Sequence, residues 1–485
     1  MSALTPPTPA PGSPPTPAPG SPPAAPGTTG ALPEQQHAPG GRPGVALLAA
    51  LLGFLIITVD VSGVNIALPA IRSSLHGGMA GLQWVVDAYT LMFAALMLSA
   101  GAFADRAGAR RAYALGVALF TVASLACALA PGIGTLIAAR VVQGSAAAAV
   151  MPASLALIRQ TYDDPGRRAR AIALWSVGGS LAMAIGPVLG GALTETVGWR
   201  AVFLLNLPVG ALILGLLARV PVSARRRVPF DPAGQATAVL ALAALAYAVI
   251  EGGHAGRLTG SCAVALGIAL LAALTFRTAE ARHPAPMVPL EMFRQREVVV
   301  TLSVGFAVNA AYYGTIFLLG LYYQQLRGMS GTAAGLMFVP TAAVITAVNV
   351  LSPRLADRYG RRPVIVWGQA LLALAMAALL VLGPDTPAWL VLVLLLPFGI
   401  SAVTVPALTA LLMDSVPGHR AGTASGLLNA MRQTGGALAV ALFGTLLAGP
   451  GDGDFSVSGL HLSLAVAAAL LCATTLLARL LLPRD

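Results

Sequence analysis

The chain has 485 residues, of which 57% are hydrophobic and 10% are charged, and its mean hydropathy is +0.80. A soluble globular protein would have about 25% charged residues, so this composition excludes that class and favours a polytopic helical membrane protein, since apolar runs of about 18 or more residues recur from Val45 to Leu482. The formal net charge is +11, and every basic residue is an arginine.

The first 44 residues are dominated by Pro, Ala, Gly, Ser and Thr. The octet Pro-Pro-Thr-Pro-Ala-Pro-Gly-Ser occurs at 6–13 and again at 14–21. Such a segment cannot bury a core, so 1–44 is predicted to be a disordered cytoplasmic tail. It lacks the basic region and cleavage site of a signal peptide. We interpret it as a passive tail, with a ligand for an SH3-type domain as the alternative.

Fourteen apolar segments are predicted to cross the bilayer as helices. They are 45–68, 84–104, 112–131, 134–158, 171–193, 200–219, 233–251, 260–277, 298–321, 333–352, 363–382, 388–412, 422–448 and 459–482. The predicted fold class is therefore an all-α membrane protein. The predicted domains are the tail 1–44, a six-helix bundle 45–219, a linker with two extra spans 220–296, and a second six-helix bundle 297–485.

The arginines orient this arrangement. With a cytoplasmic N-terminus, 23 of the 29 arginines fall in inside loops or at inside helix ends, and only four fall outside. This bias is the one that the positive-inside rule demands. It also explains the net charge without nucleic acid, which we do not expect as a partner. The prediction is a multi-pass protein of a bacterial inner (plasma) membrane with both termini cytoplasmic.

Helix one contains Asp60 and helix four contains Arg140, both within otherwise apolar segments. A charged residue at the centre of a membrane helix costs about 3 kcal/mol. Asp60 lies about 12 Å, and Arg140 about 9 Å, from the outer end of its helix at 1.5 Å per residue. Pairing at a common depth is therefore expected. The hypothesis is that Asp60 exchanges a proton for cargo that competes with it; a static structural ion pair is the alternative.

A short motif occurs twice, as Gly-Ala-Phe-Ala-Asp-Arg-Ala-Gly-Ala-Arg-Arg at 101–111 and as Ser-Pro-Arg-Leu-Ala-Asp-Arg-Tyr-Gly-Arg-Arg at 352–362. Both copies follow the second helix of a six-helix set, and Asp105 and Asp357 within them are 252 residues apart, which leaves room for two inserted helices. The motif resembles the signature loop of the major facilitator superfamily. The resemblance implies a conformational latch between two bundles, made here by Gly101, Asp105, Arg106, Gly108, Arg110, Asp357, Arg358, Gly360 and Arg361. Ala109 stands where the family usually has a basic residue.

Three further segments support this resemblance. The pattern Arg140-x-x-Gln143-Gly144 looks like the second motif of the superfamily, whose arginine is implicated in proton transfer. The segment around Asp60 is similar to the helix-one motif of its fourteen-spanner drug:proton antiporters (the EmrB/QacA-like exporters). Helix five resembles the motif that is found in proton-coupled exporters, here Gly178, Gly186, Pro187, Gly190 and Gly191. Its small residues recur every four positions and allow close helix approach.

Polar residues elsewhere in the spans are candidates for a substrate cavity. They are Asn65, Asp87, Gln143, Asn309, Tyr312, Asn429, Arg432 and Gln433. Asp87 could act as a second acid or be only an interfacial charge. Arg432 lies near mid-depth and needs a carboxylate or carbonyl partner, or an anionic substrate.

The resemblance implies a proton-coupled antiporter that exports hydrophobic or amphipathic drugs or antibiotics and confers resistance. No P-loop or catalytic arrangement indicates an enzyme, and the three separate cysteines give no metal or disulfide framework. We therefore expect no cofactor, a proton gradient as the energy source, and a monomer whose partners are a small molecule, protons and the bilayer. The alternatives are a symporter or metabolite facilitator on the same fold, and a non-transporting membrane sensor or scaffold.

Overall fold

The computed structural model describes residues 43–223, 231–255, 259–283, 286, 288, 290–417, 421–447 and 456–482. The predicted tail, apart from its last two residues, lies outside this part of the chain. Every regular element in the described part is helical, which confirms the all-α prediction.

Eighteen α-helices are described. They are α1 (Pro43–Leu75), α2 (Met79–Ala107), α3 (Ala109–Ala128), α4 (Ile133–Thr161), α5 (Pro165–Thr196), α6 (Arg200–Leu204), α7 (Asn206–Leu217), α8 (Pro232–Ala255), α9 (Gly260–Arg282), α10 (Arg296–Leu321), α11 (Gly331–Leu336), α12 (Val339–Tyr359), α13 (Arg361–Ala378), α14 (Ala388–Leu394), α15 (Leu396–Ile400), α16 (Thr404–Asp414), α17 (Ala421–Leu447) and α18 (Val457–Leu481).

Thirteen helical segments of the described chain are long and apolar enough to cross a membrane. Three of them are interrupted spans: α6 with α7, α11 with α12, and α14 with α15 and α16. The remaining predicted span, 422–448, is α17. Its 27 residues reach about 40 Å at 1.5 Å per residue, more than the roughly 30 Å hydrocarbon core. Its mean hydropathy is lower than that of the other thirteen spans because Asn429, Arg432 and Gln433 interrupt the apolar sequence.

Helix α1 is longer than predicted. The predicted span stops at residue 68, before Pro69, but the helix continues to Leu75. Proline removes one helical hydrogen bond, which a membrane helix tolerates when neighbouring groups satisfy the freed carbonyl groups. Pro69 frees the carbonyl of Asn65, four residues earlier, and Gln324 binds at the same turn, because its Nε2 donates to the adjacent carbonyl of Ile66 (3.0 Å).

The helices pack as two groups joined by a central pair. In the first group, α1 packs on α5, α2 on α4, and α3 on α4 and α7; in the second, α10 packs on α17 and α18, and α13 on α18. Helices α8 and α9 pack on each other, and α8 also contacts α2 and α17. The groups meet directly through α2 with α17 and through α5 with α11.

Two glycines of the repeated motif make equivalent turns. Gly108 separates α2 from α3, and Gly360 separates α12 from α13. Both have φ of 85°, a left-handed conformation that glycine adopts at little steric cost. Both copies of the motif therefore make a tight turn at the same position.

Close helix contact in the first group depends on Gly144 of α4. A Cβ atom at Gly144 would lie 2.2 Å from the backbone oxygen of Tyr89 on α2. Gly144→Ala should therefore destabilise the protein by about 1–3 kcal/mol, the usual cost of overpacking, and lower its apparent Tm in detergent.

Gly215→Ala is the matched control, because a Cβ atom at Gly215 of α7 would meet nothing within 4 Å. Alanine favours a helix over glycine by about 0.5–1 kcal/mol, so this variant should melt at or above the wild-type temperature. Equal melting temperatures for Gly144→Ala and the wild type would contradict the packing described here.

Candidate functional site

Asp60 forms an ion pair with Arg140 inside the first helix group. Arg140 Nη1 donates to Asp60 Oδ2 at 2.5 Å, and the side chains of Arg140 and Asp60 are 1% and 0% exposed. The contact predicted from their depths is confirmed. Because both charges are removed from water, each depends on the other for compensation.

Two amides complete the environment of the carboxylate. Gln143 Nε2 and Asn206 Nδ2 both donate to Asp60 Oδ1, at 2.9 and 2.8 Å. The same two nitrogen atoms donate to the hydroxyl of Ser124, at 2.8 and 3.1 Å. Asp60 therefore accepts from three side chains, an arrangement that suits its ionised form.

The guanidinium of Arg140 is held on its other sides by α2 and by its own helix. Its Nε donates to the Val85 carbonyl at 3.0 Å, and its Nη1 also donates to Gln143 Oε1 at 2.8 Å. Its Cζ lies 4.2 Å from the ring centroid of Tyr89, within the range of a cation–π interaction. The charge is thus neutralised by one acid and solvated by fixed dipoles.

A large cavity lies between the two helix groups. Its volume is about 1500 Å³, and Ser62 and Asn65 of α1 line it while Asp60 does not. In this conformation a substrate in the cavity does not touch the carboxylate. Direct competition between cargo and proton at Asp60, expected from the sequence, has no geometric support here.

The cavity extends to one face of the membrane domain. We call the face at which α1 begins the near face and the opposite one the far face. The lining includes Gly101 and Ala104 near the end of α2, Arg159 near the end of α4, and Thr423 at the start of α17. All of these positions lie toward the near face.

Toward the far face the two helix groups are in contact. A Cβ atom at Gly191 of α5 would lie 2.3 Å from the backbone oxygen of Gly331, at the start of α11. Glu195 accepts from the backbone nitrogen of Thr332 (2.9 Å) and from its hydroxyl (2.5 Å). The described conformation is therefore closed at the far face.

The glycines predicted on helix five have distinct partners. Cβ atoms at Gly178, Gly186 and Gly190 would collide with atoms of α1, whereas Gly191 contacts α11. The carbonyl oxygen of Pro187 would lie 2.4 Å from a Cβ atom at Gly335, also on α11. The close approach expected from the small-residue spacing is confirmed.

Six of the eight predicted cavity residues line the cavity. They are Asn65, Asn309, Tyr312, Asn429, Arg432 and Gln433. The other two predictions are wrong. Gln143 lies on the side of α4 that faces Asp60, one turn from Arg140, and it is fully buried there.

Asp87 is also fully buried away from the cavity. It lies on the side of α2 that packs against α8 and α17: one turn earlier, Gln83 donates to the Ala441 carbonyl (3.3 Å), and one turn later, Leu91 packs with Ala246 and Ala437. Within the described chain neither carboxyl oxygen has a hydrogen-bond partner.

The predicted latch residues occupy two turns at the near face. Gly101 lines the cavity, whereas Arg106, Asp357 and Arg358 are exposed. Arg361 pairs with Asp414 of α16 within the second helix group, and the first copy of the motif has Ala109 at the matching position. The backbone nitrogen of Arg110 donates to the Ser223 hydroxyl at 3.0 Å. The side chain of Asp105 lies outside the described residues, and the latch role stays a prediction.

Sequence reasoning missed Ser124 and Asn206 as site residues. Neither carries a charge, so neither was forced to have a partner. The sequence marks Ser124 only as a polar residue on an otherwise apolar helix, α3. Asn206 begins α7 just after a break in the sixth span.

Comparison with known proteins gives the family. The model of the Major Facilitator Superfamily matches residues 50–440. This chain belongs to that superfamily. The family and the fold class that the sequence predicted are confirmed. The protein is a multi-pass membrane protein of a transporter family.

Two relatives and one solved structure illustrate the similarity. The methylenomycin A resistance protein of Streptomyces coelicolor is 35% identical over 459 residues, which are 93% of this chain and 97% of that one. The multidrug resistance protein Stp of Mycobacterium tuberculosis is 39% identical over 407 residues, which are 83% and 76% of the two chains. A crystal structure of the nucleoside transporter NupG covers 90% of this chain and 100% of its own, with a TM-score of 0.64 and 12% identity; it shows the fold alone.

The ion pair predicts a strong energetic coupling between its two members. Asp60→Leu or Arg140→Leu alone leaves one buried charge uncompensated, which costs about 3–5 kcal/mol. The double variant removes both charges and should be clearly more stable than the sum of the single effects predicts.

The measurement is a double-mutant cycle on apparent Tm or on unfolding in denaturant, using purified full-length protein in detergent. Additive losses would show that the two side chains do not depend on each other.

Proposed function

We propose that this protein is a proton-coupled antiporter that exports hydrophobic or amphipathic small molecules, antibiotics among them, and so confers resistance. The observation that carries the proposal is the buried Asp60–Arg140 pair beside a cavity of about 1500 Å³ that extends to one face only. The names of the relatives above, which are resistance proteins, support the direction of transport.

The proton acts through the ion pair. When Asp60 takes up a proton it is neutral, and Arg140 then holds a buried charge without an opposite partner. That state is unfavourable by several kcal/mol, so protonation favours a different packing of α1 against α4. The cavity and Asp60 are separate, and cargo and proton therefore compete through conformation instead of at one atom.

Contacts of α1 and α5 connect the acid to the closed far face. Ser62, two residues after Asp60, has its Oγ atom 1.9 Å from the place of a Cβ at Gly186, and a Cβ at Gly190 would lie 2.5 Å from Cα of Gly63. The next residue, Gly191, contacts Gly331 of α11. Because these are near-backbone contacts, a shift of α1 displaces α5 and with it the contact that closes the far face. For antiport, Asp60 takes up its proton while the far face is open and releases it while the near face is open, so the ion pair belongs to the state after proton release, in which cargo enters the cavity.

The bacterial plasma membrane supplies the driving force, with the near face and both termini in the cytoplasm. One proton that crosses about 100 mV releases about 2.3 kcal/mol, and one pH unit adds about 1.4 kcal/mol. Together they sustain roughly a 500-fold gradient of a neutral solute. The arginine distribution supports this orientation.

Asp60→Asn should abolish coupled export, because an amide cannot bind and release the proton. The test uses a susceptible bacterial host and a panel of anionic, neutral and cationic aromatic antibiotics. We expect the wild-type protein to raise the inhibitory concentration of some of these antibiotics at least fourfold. Asp60→Asn should give the values of the host alone at equal membrane expression. In everted vesicles, addition of an exported compound should release protons with the wild type only.

The control is Asp385→Asn, the same chemical change at an exposed loop residue, which should behave as the wild type. Export that survives in Asp60→Asn, or that persists when the proton gradient and the membrane potential are collapsed, would contradict the proposal. Accumulation of the compounds inside cells would instead favour a symporter.

A covalent link across the far face should stop transport. The double variant Glu195→Cys/Thr332→Cys, in a Cys472→Ser background because Cys472 is the exposed native thiol among the three, brings two thiols together where Glu195 and Thr332 are hydrogen-bonded. Treatment with a short bifunctional thiol reagent cleavable by reductant should abolish export, and reductant should restore it.

The two single-cysteine variants, treated with the same reagent, serve as controls and should keep the export rate of their untreated forms. Full export by the cross-linked protein would show that the far face need not open.

A further inference from the structure

Arg432 lies in the wall of the central cavity, about 17 Å along α17 from the start of the helix at 1.5 Å per residue. Its Nε donates to Asn309 Oδ1 at 3.1 Å, and its Nη1 is 3.4 Å from Asn429 Oδ1. In the described part of the chain, no carboxylate lies within ion-pair distance of its guanidinium. Two neutral amides orient this cation but do not neutralise it.

The charges that line the rest of the cavity do not neutralise it either. Among the described lining residues, the charged ones besides Arg432 are Arg159 and Asp231. Asp231 immediately precedes α8 at the near face, where its Oδ1 accepts from the backbone nitrogen of Gly234 (2.8 Å). It is therefore remote in depth from Arg432, and the middle of the cavity carries a net positive charge.

Asp87, on the neighbouring helix α2, is the other acid to consider. Its carboxyl is fully buried and makes no hydrogen bond to any described residue, Arg432 included. Arg140, the other arginine in the membrane interior, is already paired with Asp60. Arg432 thus differs from Arg140 in having a cavity, and not an acid, in front of it.

The surroundings of Arg432 suit the apolar part of a ligand. Tyr312 and Phe398 stack at 5.4 Å between ring centroids, and Phe54 and Trp175 stack at 4.2 Å. All four rings line the same cavity. Gln433, also in the lining, accepts from Asn309 (3.4 Å) and has an amide nitrogen that can donate. A forked cation with flanking amides and aromatic walls is suited to a planar acid.

We propose that Arg432 binds the acidic group of an amphipathic substrate, a carboxylate or an ionised enol or phenol, so that the cavity takes anions in preference to cations. This inference rests on the proposed export function and names the substrate class of its cavity. Both movements would then be driven by the membrane potential, because the exit of an anion and the entry of a proton each transfer net positive charge to the inside.

The test compares three probes with one aromatic body and different charge: 1-naphthoate, 1-naphthamide and 1-naphthylmethylammonium. Binding to the full-length protein in nanodiscs of zwitterionic lipid is measured by equilibrium dialysis, without any gradient. In the wild type, naphthoate should bind at least about tenfold more tightly than naphthamide, the usual gain from charge-assisted hydrogen bonds, and the ammonium should bind most weakly.

The Arg432→Gln variant should lose the preference for naphthoate. The affinity of this variant for naphthamide should stay within about threefold of the wild-type value, which would show that the cavity itself is intact. Arg432→Lys keeps the charge without the fork and should keep part of the preference. Equal or reversed affinities in the wild type, or an unchanged preference in Arg432→Gln, would overturn the proposal. If Arg432→Gln does not fold, the ranking in the wild type decides alone.

The outcome is separable from that of the export proposal. Export of neutral or cationic compounds that depends on Asp60, without any anion preference in binding, would overturn the assignment of Arg432 and leave antiport intact. A clear anion preference together with export by Asp60→Asn would support the assignment of Arg432 and overturn the antiport proposal.

Discussion

The need to neutralise charge in the interior of a membrane protein governs the first helix group. Asp60 and Arg140 are each expensive alone, and the 2.5 Å contact between them requires α1 and α4 to lie side by side at that depth. Gly144 follows Arg140 by one turn and allows α2 to approach α4 so closely that no Cβ would fit. That approach brings the Val85 carbonyl and the Tyr89 ring onto the guanidinium. One ion pair thus determines how three helices pack.

The same ion pair lies next to the elements that close the cavity. Small residues on α1, α5 and α11 are in near-backbone contact, from Ser62 and Gly63 through Gly190 and Gly191 to Gly331. Contacts of this kind have little side-chain freedom to absorb a displacement, since packed interiors deform poorly. A change of charge at Asp60 therefore has a short mechanical route to the far face. The proposed cycle requires a second packing of α5 against α11, in which the far face is open.

Depth along a helix could be predicted from the sequence, but direction around it could not. The arginines and apolar lengths place helix ends, and a rise of 1.5 Å per residue then gives depth; this is why the Asp60–Arg140 contact was predictable. Asp87 and Gln143 were assigned to the cavity because they are polar residues within predicted spans, yet both face other helices. The side that a residue faces depends on which helices are neighbours, and one sequence does not contain that information.

The sequence also did not predict the uncharged polar residues that surround Asp60. Ser124 and Asn206 complete the site around Asp60, but a hydroxyl or an amide in a membrane helix can hydrogen-bond within its own helix, as Ser124 also does to the Phe120 carbonyl (2.8 Å). Their cost of burial is therefore too small to demand a partner. The predictable residues of this site are those whose isolation would have been the most costly.

The two arginines in the membrane interior obey the same electrostatic rule but satisfy it in different ways. Arg140 faces an acid of the chain itself, so its charge is balanced whatever the cavity contains. Arg432 faces the cavity and has only amide oxygens among its described neighbours. The same cost that forces Arg140 to pair with Asp60 makes Arg432 attract a counter-charge from outside the chain. Under the proposed function, the proton site and the cargo site are therefore chemically distinct, and the packing of the helices that carry them couples the two.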